Sequence, residues 1–171
     1  MFLLSVVLVA AGLDLKSRRI PNWLTLTGFL GGLLLQTGIR GMVGLRDATS
    51  GAALAFAIYF ILFALRALGA GDVKLMTAVG AIAGPSNWLI IFLLSAIAGG
   101  ILVMTLGFVH GTLLRTVLGV GSILRQLVRG KAPFAMNPSL DVSHPRALTL
   151  PHAVPVAIGC ISYLVLAAEV R

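Results

Sequence analysis

Acidic residues are scarce in this chain. Of its 171 residues only five are acidic, and charged residues of both signs make up 11% of the sequence. A soluble domain carries about 25% charged residues. With 58% hydrophobic residues, the composition excludes an ordinary soluble domain and predicts an all-α integral membrane protein. The length needs no more than a single domain, residues 1–171. The acidic residues are Asp14, Asp47, Asp72, Asp141 and Glu169.

Cysteine is almost absent. The single Cys160 excludes an intrachain disulfide and a four-cysteine zinc module. The His, Cys and acidic residues show no metal-ligand spacing, so neither a metal nor a cofactor is predicted. A basic region before the first apolar run is also missing, because Met1 to Leu13 carries no charged side chain. The N-terminal segment is therefore predicted to be a retained first span rather than a cleaved signal peptide.

Positive charge is abundant, with a formal net charge of +8. Such a balance is also typical of nucleic-acid binding, but here the basic residues fall between apolar spans instead of along one soluble face. The partner predicted from this distribution is the lipid bilayer, not a nucleic acid.

Apolar runs predict a polytopic bundle of about six transmembrane helices. A span needs roughly 20 apolar residues, and six stretches are candidates, of which the first and fourth are short. The first crosses only if it continues through Asp14, with the basic residues after it reaching the headgroups. The candidate spans are approximately 1–17, 23–39, 48–65, 72–86, 88–112 and 149–168.

Basic residues predict the orientation of this bundle. Ten lie at one set of loops and edges and three at the other, and the positive-inside rule assigns the larger set to the cytoplasm. Both termini are then outward, in the periplasm, and Asp14 and Asp72 lie at the cytoplasmic face. The larger set is Lys16, Arg18, Arg19, Arg66, Lys74, Arg115, Arg125, Arg129, Lys131 and Arg146, and the smaller set is Arg40, Arg46 and Arg171.

One sizeable cytoplasmic loop is predicted, at approximately 113–148. The stretch from Leu113 to Val128 is amphipathic, which suits a helix lying on the anionic inner leaflet or an ordinary loop helix. The remainder of the loop is rich in proline and is predicted to be irregular.

Two aspartates, Asp14 and Asp72, are the candidate catalytic residues. A carboxylate at membrane depth is expensive and by default marks a functional site, and two at the same face can activate water by acid–base chemistry. Each has a simpler interpretation. Asp14 can pair with Arg18 one turn later, and Asp72 can cap a helix.

The residues around Asp72 and after Asp14 supply supporting candidates. Gly69 and Gly71 remove side chains beside Asp72, so an extended peptide can approach the backbone there. Pro21 marks the start of the second span. Asn22 is either a polar contact in the site or a cap of that span.

Taken together, three motifs resemble the type IV prepilin peptidase family of Gly-x-Gly-Asp intramembrane aspartyl proteases. The first is Asp14 followed by Lys16-Ser17-Arg18-Arg19-Ile20-Pro21-Asn22, and the second is Gly69-Ala70-Gly71-Asp72-Val73-Lys74-Leu75. The third, Leu150-Pro151-His152-Ala153-Val154-Pro155-Val156-Ala157-Ile158-Gly159, resembles the segment before the last span, with His152 where many relatives have tyrosine. The short chain is similar to the compact members that serve tad-type (Flp) pili.

The resemblance implies an endopeptidase of the bacterial inner membrane that removes the short basic leader of prepilins or pseudopilins at the cytoplasmic face. Asp14 and Asp72 would share a proton and activate a water. Lys74 would orient Asp72 or contact an acidic residue of the pilin, unless it only reaches for the headgroups. The chain lacks the four-cysteine insertion of the relatives that also methylate the new N-terminus, so N-methyltransferase activity is not expected.

Two other classes of protein remain open. In a small ion- or proton-coupled transporter the two aspartates would carry the ion, although such residues usually lie near the midplane between inverted repeats. A non-enzymatic subunit of a pilus or secretion machine would tolerate replacement of both aspartates by asparagine.

Overall fold

The computed structural model describes residues 1–17, 20–65, 68–109 and 152–169. All regular secondary structure in these ranges is helical, which confirms the prediction of an all-α protein. The predicted cytoplasmic loop at 113–148 and its amphipathic helix lie outside the described residues. The helices are α1 (Phe2–Ser17), α2 (Asn22–Ala64), α3 (Ala70–Ala83), α4 (Pro85–Val109) and α5 (Ala153–Glu169).

Helix α2 contains a sharp break at Gly41. Its 43 residues keep helical geometry except at this glycine, where φ is 59° and ψ is −139°. Side chains other than glycine's rarely allow this conformation. The sequence predicted two spans, 23–39 and 48–65, with a loop between them. The prediction of a loop is wrong, because residues 42–47 are helical. A single glycine therefore makes the connection.

The two arms of α2 run in opposite directions along α3. On the first arm, a Cβ added at Gly28 would touch Ala78, and one added at Gly32 would meet Ala81. The first arm therefore runs parallel to α3. On the second arm, Gly51 lies against both Gly80 and Gly84. Tyr59, two turns further on, lies close enough to Asp72 at the start of α3 to interact electrostatically. Helix α2 is thus a hairpin whose arms flank α3, and the two helices share the most extensive interface of the described fold.

Close approach of α2 and α3 depends on glycine. A Cβ on Gly51 would lie 2.8 Å from the carbonyl carbon of Gly84, and one on Gly32 would lie 2.9 Å from the backbone of Ala81. Small residues at such crossings let backbones pack tightly, which is the principal source of helix association in lipid.

Helix α5 packs on α4 and α1. Gly159 of α5 meets Ser95 of α4, where an added Cβ would lie 2.7 Å from the Ser95 backbone nitrogen. Large side chains fill the interior, and Leu75, Met76, Trp88 and Ile91 are fully buried. Helix α3, which carries Asp72, contacts α1, α2 and α4.

Within the described residues, two helices are long and apolar enough to cross a membrane, namely Asn22–Ala64 and Pro85–Val109. Of the most apolar 18-residue stretch of α4, only 11% is buried inside the protein. Large apolar side chains accordingly cover the outer surface, including Leu34, Ile39 and Phe108 at 74%, 77% and 77% exposure. A surface of this kind suits lipid rather than water.

Candidate active site

Asp14 is a buried carboxylate that joins two helices distant in sequence. It lies in the last turn of α1, its side chain is 7% exposed, and its Oδ2 accepts a hydrogen bond of 3.0 Å from the backbone nitrogen of Ala153. Ala153 is the first residue of α5, where backbone N–H groups lack partners within the helix. The simpler interpretation, local pairing with Arg18, concerns a residue outside the described ranges. The contact that the structure shows is tertiary, because its two residues lie 139 positions apart.

Asp72 lies in the first turn of α3, three residues after Gly69, which directly precedes the helix. Its Oδ2 accepts a hydrogen bond of 3.0 Å from the Gly69 backbone nitrogen. Gly69 occupies the N-cap position, and the Asp72 carboxylate accepts the N–H of that residue from inside the first turn. The prediction that Asp72 is itself the cap is therefore wrong. A carboxylate in this turn is also favoured by the helix dipole.

The bundle brings the two aspartates together with a histidine. Asp72 lies close enough to Asp14 and to His152 to interact electrostatically with both. His152 directly precedes Ala153, the residue that holds Asp14. Three titratable side chains from α1, α3 and the start of α5 therefore meet at one end of the bundle.

An aromatic cluster forms the wall beside these groups. The Tyr59 ring is 2% exposed and packs edge-on against His152, with centroids 6.2 Å apart. The same ring meets Trp88 at 6.3 Å and Phe92 at 5.9 Å. Tyr59 was not among the predicted site residues. A tyrosine inside an apolar run could have indicated it, because the hydroxyl group needs a hydrogen-bond partner or water.

The glycines of the second motif have different neighbours. Gly69 donates its N–H to Asp72, and an added Cβ there would lie 3.4 Å from the Asp72 Oδ2. Gly71 lies beside Ile20, and an added Cβ there would make ordinary van der Waals contact with that side chain at 3.5 Å.

Lys74 bonds to Asn22 across the interface of α3 and α2. Its Nζ donates to the Asn22 Oδ1 at 2.9 Å. Pro21, not Asn22, occupies the position before the first helical residue, and its carbonyl accepts the N–H of Leu24 at 3.1 Å. Asn22 is thus a partner of Lys74 rather than the cap of the helix.

An apolar groove of about 390 Å³ opens beside this pair, between both arms of α2 and α3. Lys74 and Asn22 lie on its wall together with aromatic rings of the hairpin. Its lining residues are Asn22, Trp23, Thr25, Leu26, Phe29, Phe56, Lys74 and Thr77.

This arrangement can perform acid–base chemistry. Each carboxylate accepts a backbone N–H at one oxygen, which orients the group, and a carboxylate oxygen can also accept from a water or a substrate. Two carboxylates near each other are suited to acid–base activation of a water. Within the described ranges no group of three His, Cys, Asp or Glu is arranged to hold a metal ion.

Comparison with known families gives one match to a family model. Residues 1–104 match the model of the type IV leader peptidase family. The matched segment includes α1 to α3 and therefore both Asp14 and Asp72.

Curated relatives carry consistent names. A protein of Aeromonas hydrophila named prepilin leader peptidase/N-methyltransferase is 30% identical over 149 residues, which is 82% of this chain and 46% of the relative. A protein of the same name from Aeromonas salmonicida (strain A449) is 31% identical over 149 residues, covering 82% of this chain and 45% of the relative. The chain thus spans about half the length of the curated relatives it matches. No solved structure matches.

Proposed function

The chain belongs to the type IV leader peptidase family, and from this premise we propose that it is an intramembrane aspartic endopeptidase. Its substrate is a type IV prepilin or pseudopilin, from which it removes a short basic leader. The observation that supports this proposal best is the meeting of Asp14 and Asp72 beside a buried aromatic wall. The names of the Aeromonas relatives agree with a prepilin as substrate.

The proposed mechanism uses one ionised and one protonated aspartate. The ionised carboxylate takes a proton from a water, whose oxygen attacks the scissile carbonyl carbon. The protonated carboxyl group gives its proton to the carbonyl oxygen, which neutralises the developing oxyanion. As the tetrahedral intermediate collapses, the C–N bond breaks and the departing amine takes a proton from the site. No covalent enzyme intermediate forms.

Backbone hydrogen bonds keep the two carboxylates in place for this reaction. Asp14 is held by the N–H of Ala153 and Asp72 by the N–H of Gly69. A fixed geometry lowers the entropy lost on reaching the transition state, and removal of bulk water strengthens each electrostatic contact. Rotation of either side chain would break its backbone bond.

We propose further that the chain crosses the bacterial inner membrane six times, with both termini outward and the site at the cytoplasmic face. The two arms of α2 count as two crossings, at roughly 28 and 34 Å from the rise per residue. Helix α3 is only about 21 Å long by the same rise. Because α3 is shorter than the roughly 30 Å hydrocarbon core, its first turn would lie below the membrane surface. Asp72 is in that turn.

Cleavage of a co-expressed prepilin tests the proposal. Asp14→Asn and Asp72→Asn are expected to lower the cleavage rate at least about a hundredfold, since asparagine keeps an acceptor oxygen but transfers no proton. Asp47→Asn is the matched control, because Asp47 forms an ion pair with Arg40 at the other end of the bundle. It is expected to cleave at the wild-type rate.

The outcomes separate the competing functions. If both site variants insert into the membrane and still cleave as the wild type does, the two-aspartate mechanism is wrong. If the wild type cleaves no prepilin, an ion-coupled transporter or a non-enzymatic pilus subunit explains the chain better. Mass spectrometry of the new pilin N-terminus tests the proposal that this chain does not also methylate it.

A further inference from the structure

One ring nitrogen in the site lacks a partner. The Nε2 atom of His152 is buried and makes no hydrogen bond within the described part of the chain. A buried polar atom without a partner is costly, and most such atoms in folded proteins are paired. The position of this nitrogen therefore needs an explanation.

The surroundings of the ring favour a ligand rather than a packing role. Tyr59 holds the imidazole edge-on at 6.2 Å, while Asp72 lies close enough to interact with it electrostatically. The next residue, Ala153, donates its N–H to Asp14. The unpaired nitrogen is thus placed beside both reactive carboxylates by the same short segment that positions one of them.

Two other buried polar atoms in the described residues also lack partners, the indole nitrogen of Trp88 and the hydroxyl of Ser95. Ser95 packs against Gly159, which lies six residues, or about 9 Å, along α5 from Ala153. His152, in contrast, interacts electrostatically with Asp72 and directly precedes Ala153, whose N–H binds Asp14. His152 is therefore the unpaired group that we associate with the carboxylates.

We propose that His152 binds the substrate, and that its Nε2 pairs with a backbone group of the peptide next to the bond being cut. This inference rests on the proposed peptidase function. An imidazole nitrogen can donate or accept, depending on the tautomer, so it suits a backbone N–H or a carbonyl. Among the described residues the nitrogen has no partner, and in this proposal the arriving peptide supplies the hydrogen bond.

A pair of amide variants tests the position of the binding atom. A glutamine side chain places an amide group near the position of Nε2, whereas asparagine is one methylene shorter and reaches only as far as Nδ1. His152→Gln is expected to keep kcat/KM within about threefold of wild type, and His152→Asn to lose about tenfold to a hundredfold. His152→Phe, which keeps a ring against Tyr59, is expected to lose as much as His152→Asn.

Ser95→Ala is the matched control, since it removes a buried unpaired polar atom away from the carboxylates. It is expected to leave kcat/KM unchanged. Unfolding temperature in detergent is measured for every variant, so that a loss of folded protein is not read as a loss of binding. If His152→Phe does not fold, the comparison of the two amide variants decides the result.

Three results would overturn the inference. The first is wild-type kcat/KM in His152→Phe, and the second is equal loss in His152→Gln and His152→Asn. The third is a loss explained entirely by a lower unfolding temperature. These failures are distinct from failure of the proposed function, which would appear as normal cleavage by Asp14→Asn and Asp72→Asn in the same assay.

Discussion

Replacing Gly80 by alanine should separate the two helices whose contact places Asp72. A Cβ at this position would lie 2.8 Å from the carbonyl carbon of Gly51 and 2.9 Å from the Cβ of Ala55, and it would collide with the Gly51 oxygen. Ordinary van der Waals contact begins at 3.4 Å. Helix α3 must therefore move by at least 0.6 Å (3.4 − 2.8) relative to α2.

The expected cost follows from two opposing effects. Overpacking of this kind costs about 1–3 kcal/mol, whereas alanine gains up to about 1 kcal/mol over glycine inside a helix. The net loss is about 1–2 kcal/mol, because the blocking atoms include backbone that cannot rotate away. For a domain of this size, about 2–4 °C of unfolding temperature corresponds to each kcal/mol, so a decrease of about 2–8 °C is expected.

The assay is thermal unfolding in detergent, followed by circular dichroism at several heating rates. Gly38→Ala is the matched control, since nothing lies within 4 Å of its added Cβ and only the gain in helix propensity remains. It is expected to be as stable as the wild type or slightly more stable. Gly51→Ala combined with Gly80→Ala should cost less than the sum of the two, because both probe one contact.

Equal unfolding temperatures for Gly80→Ala and Gly38→Ala would contradict the prediction that a Cβ at position 80 forces α3 away from α2. So would additive costs in the double variant, since that result would mean that the two glycines act at separate sites. The cleavage rate provides a second readout. Because Asp72 lies at the start of the displaced helix, Gly80→Ala should also reduce prepilin cleavage at temperatures where the protein remains folded.

Three further variants test single contacts of the fold, each by the same unfolding measurement. Gly41→Ala should cost about 1–2 kcal/mol, because φ of 59° is unfavourable for alanine; wild-type stability would show that the turn relaxes. Gln36→Leu should cost about 1 kcal/mol, since its side chain donates to the Ile82 carbonyl at 2.8 Å; a more stable variant would contradict this. Arg40→Gln should cost less than about 1 kcal/mol, because its ion pair with Asp47 is exposed; a larger loss would show that the pair is shielded from solvent.

Helix positions were largely predictable because apolar length is a local property. The predicted spans 72–86, 88–112 and 149–168 correspond to α3, α4 and α5, with their boundaries shifted by a few residues. The error between spans 23–39 and 48–65 has a physical cause. A polar stretch containing Arg46 and Asp47 resembles a loop, but one glycine with positive φ can reverse the chain and leave its neighbours helical.

The partners of the site residues were less predictable than the residues themselves. Lys74 was expected to orient Asp72, to contact an acidic residue of the pilin or to reach the headgroups, and the structure pairs it with Asn22, 52 positions away. The bond from Ala153 to Asp14, across 139 positions, was not predicted. Sequence spacing identifies neighbours only along one helix, whereas these contacts depend on how the helices cross.

The amino-acid sequence alone predicted a helical membrane protein with two candidate aspartates, because charge is so scarce that each carboxylate in or beside an apolar run stands out. The family followed from the motifs around those aspartates and was shown by the match over residues 1–104. The position of Tyr59 and His152 beside Asp72 became visible in the folded structure alone. It depends on which helices cross, and small residues at a crossing do not identify the helix that they will meet.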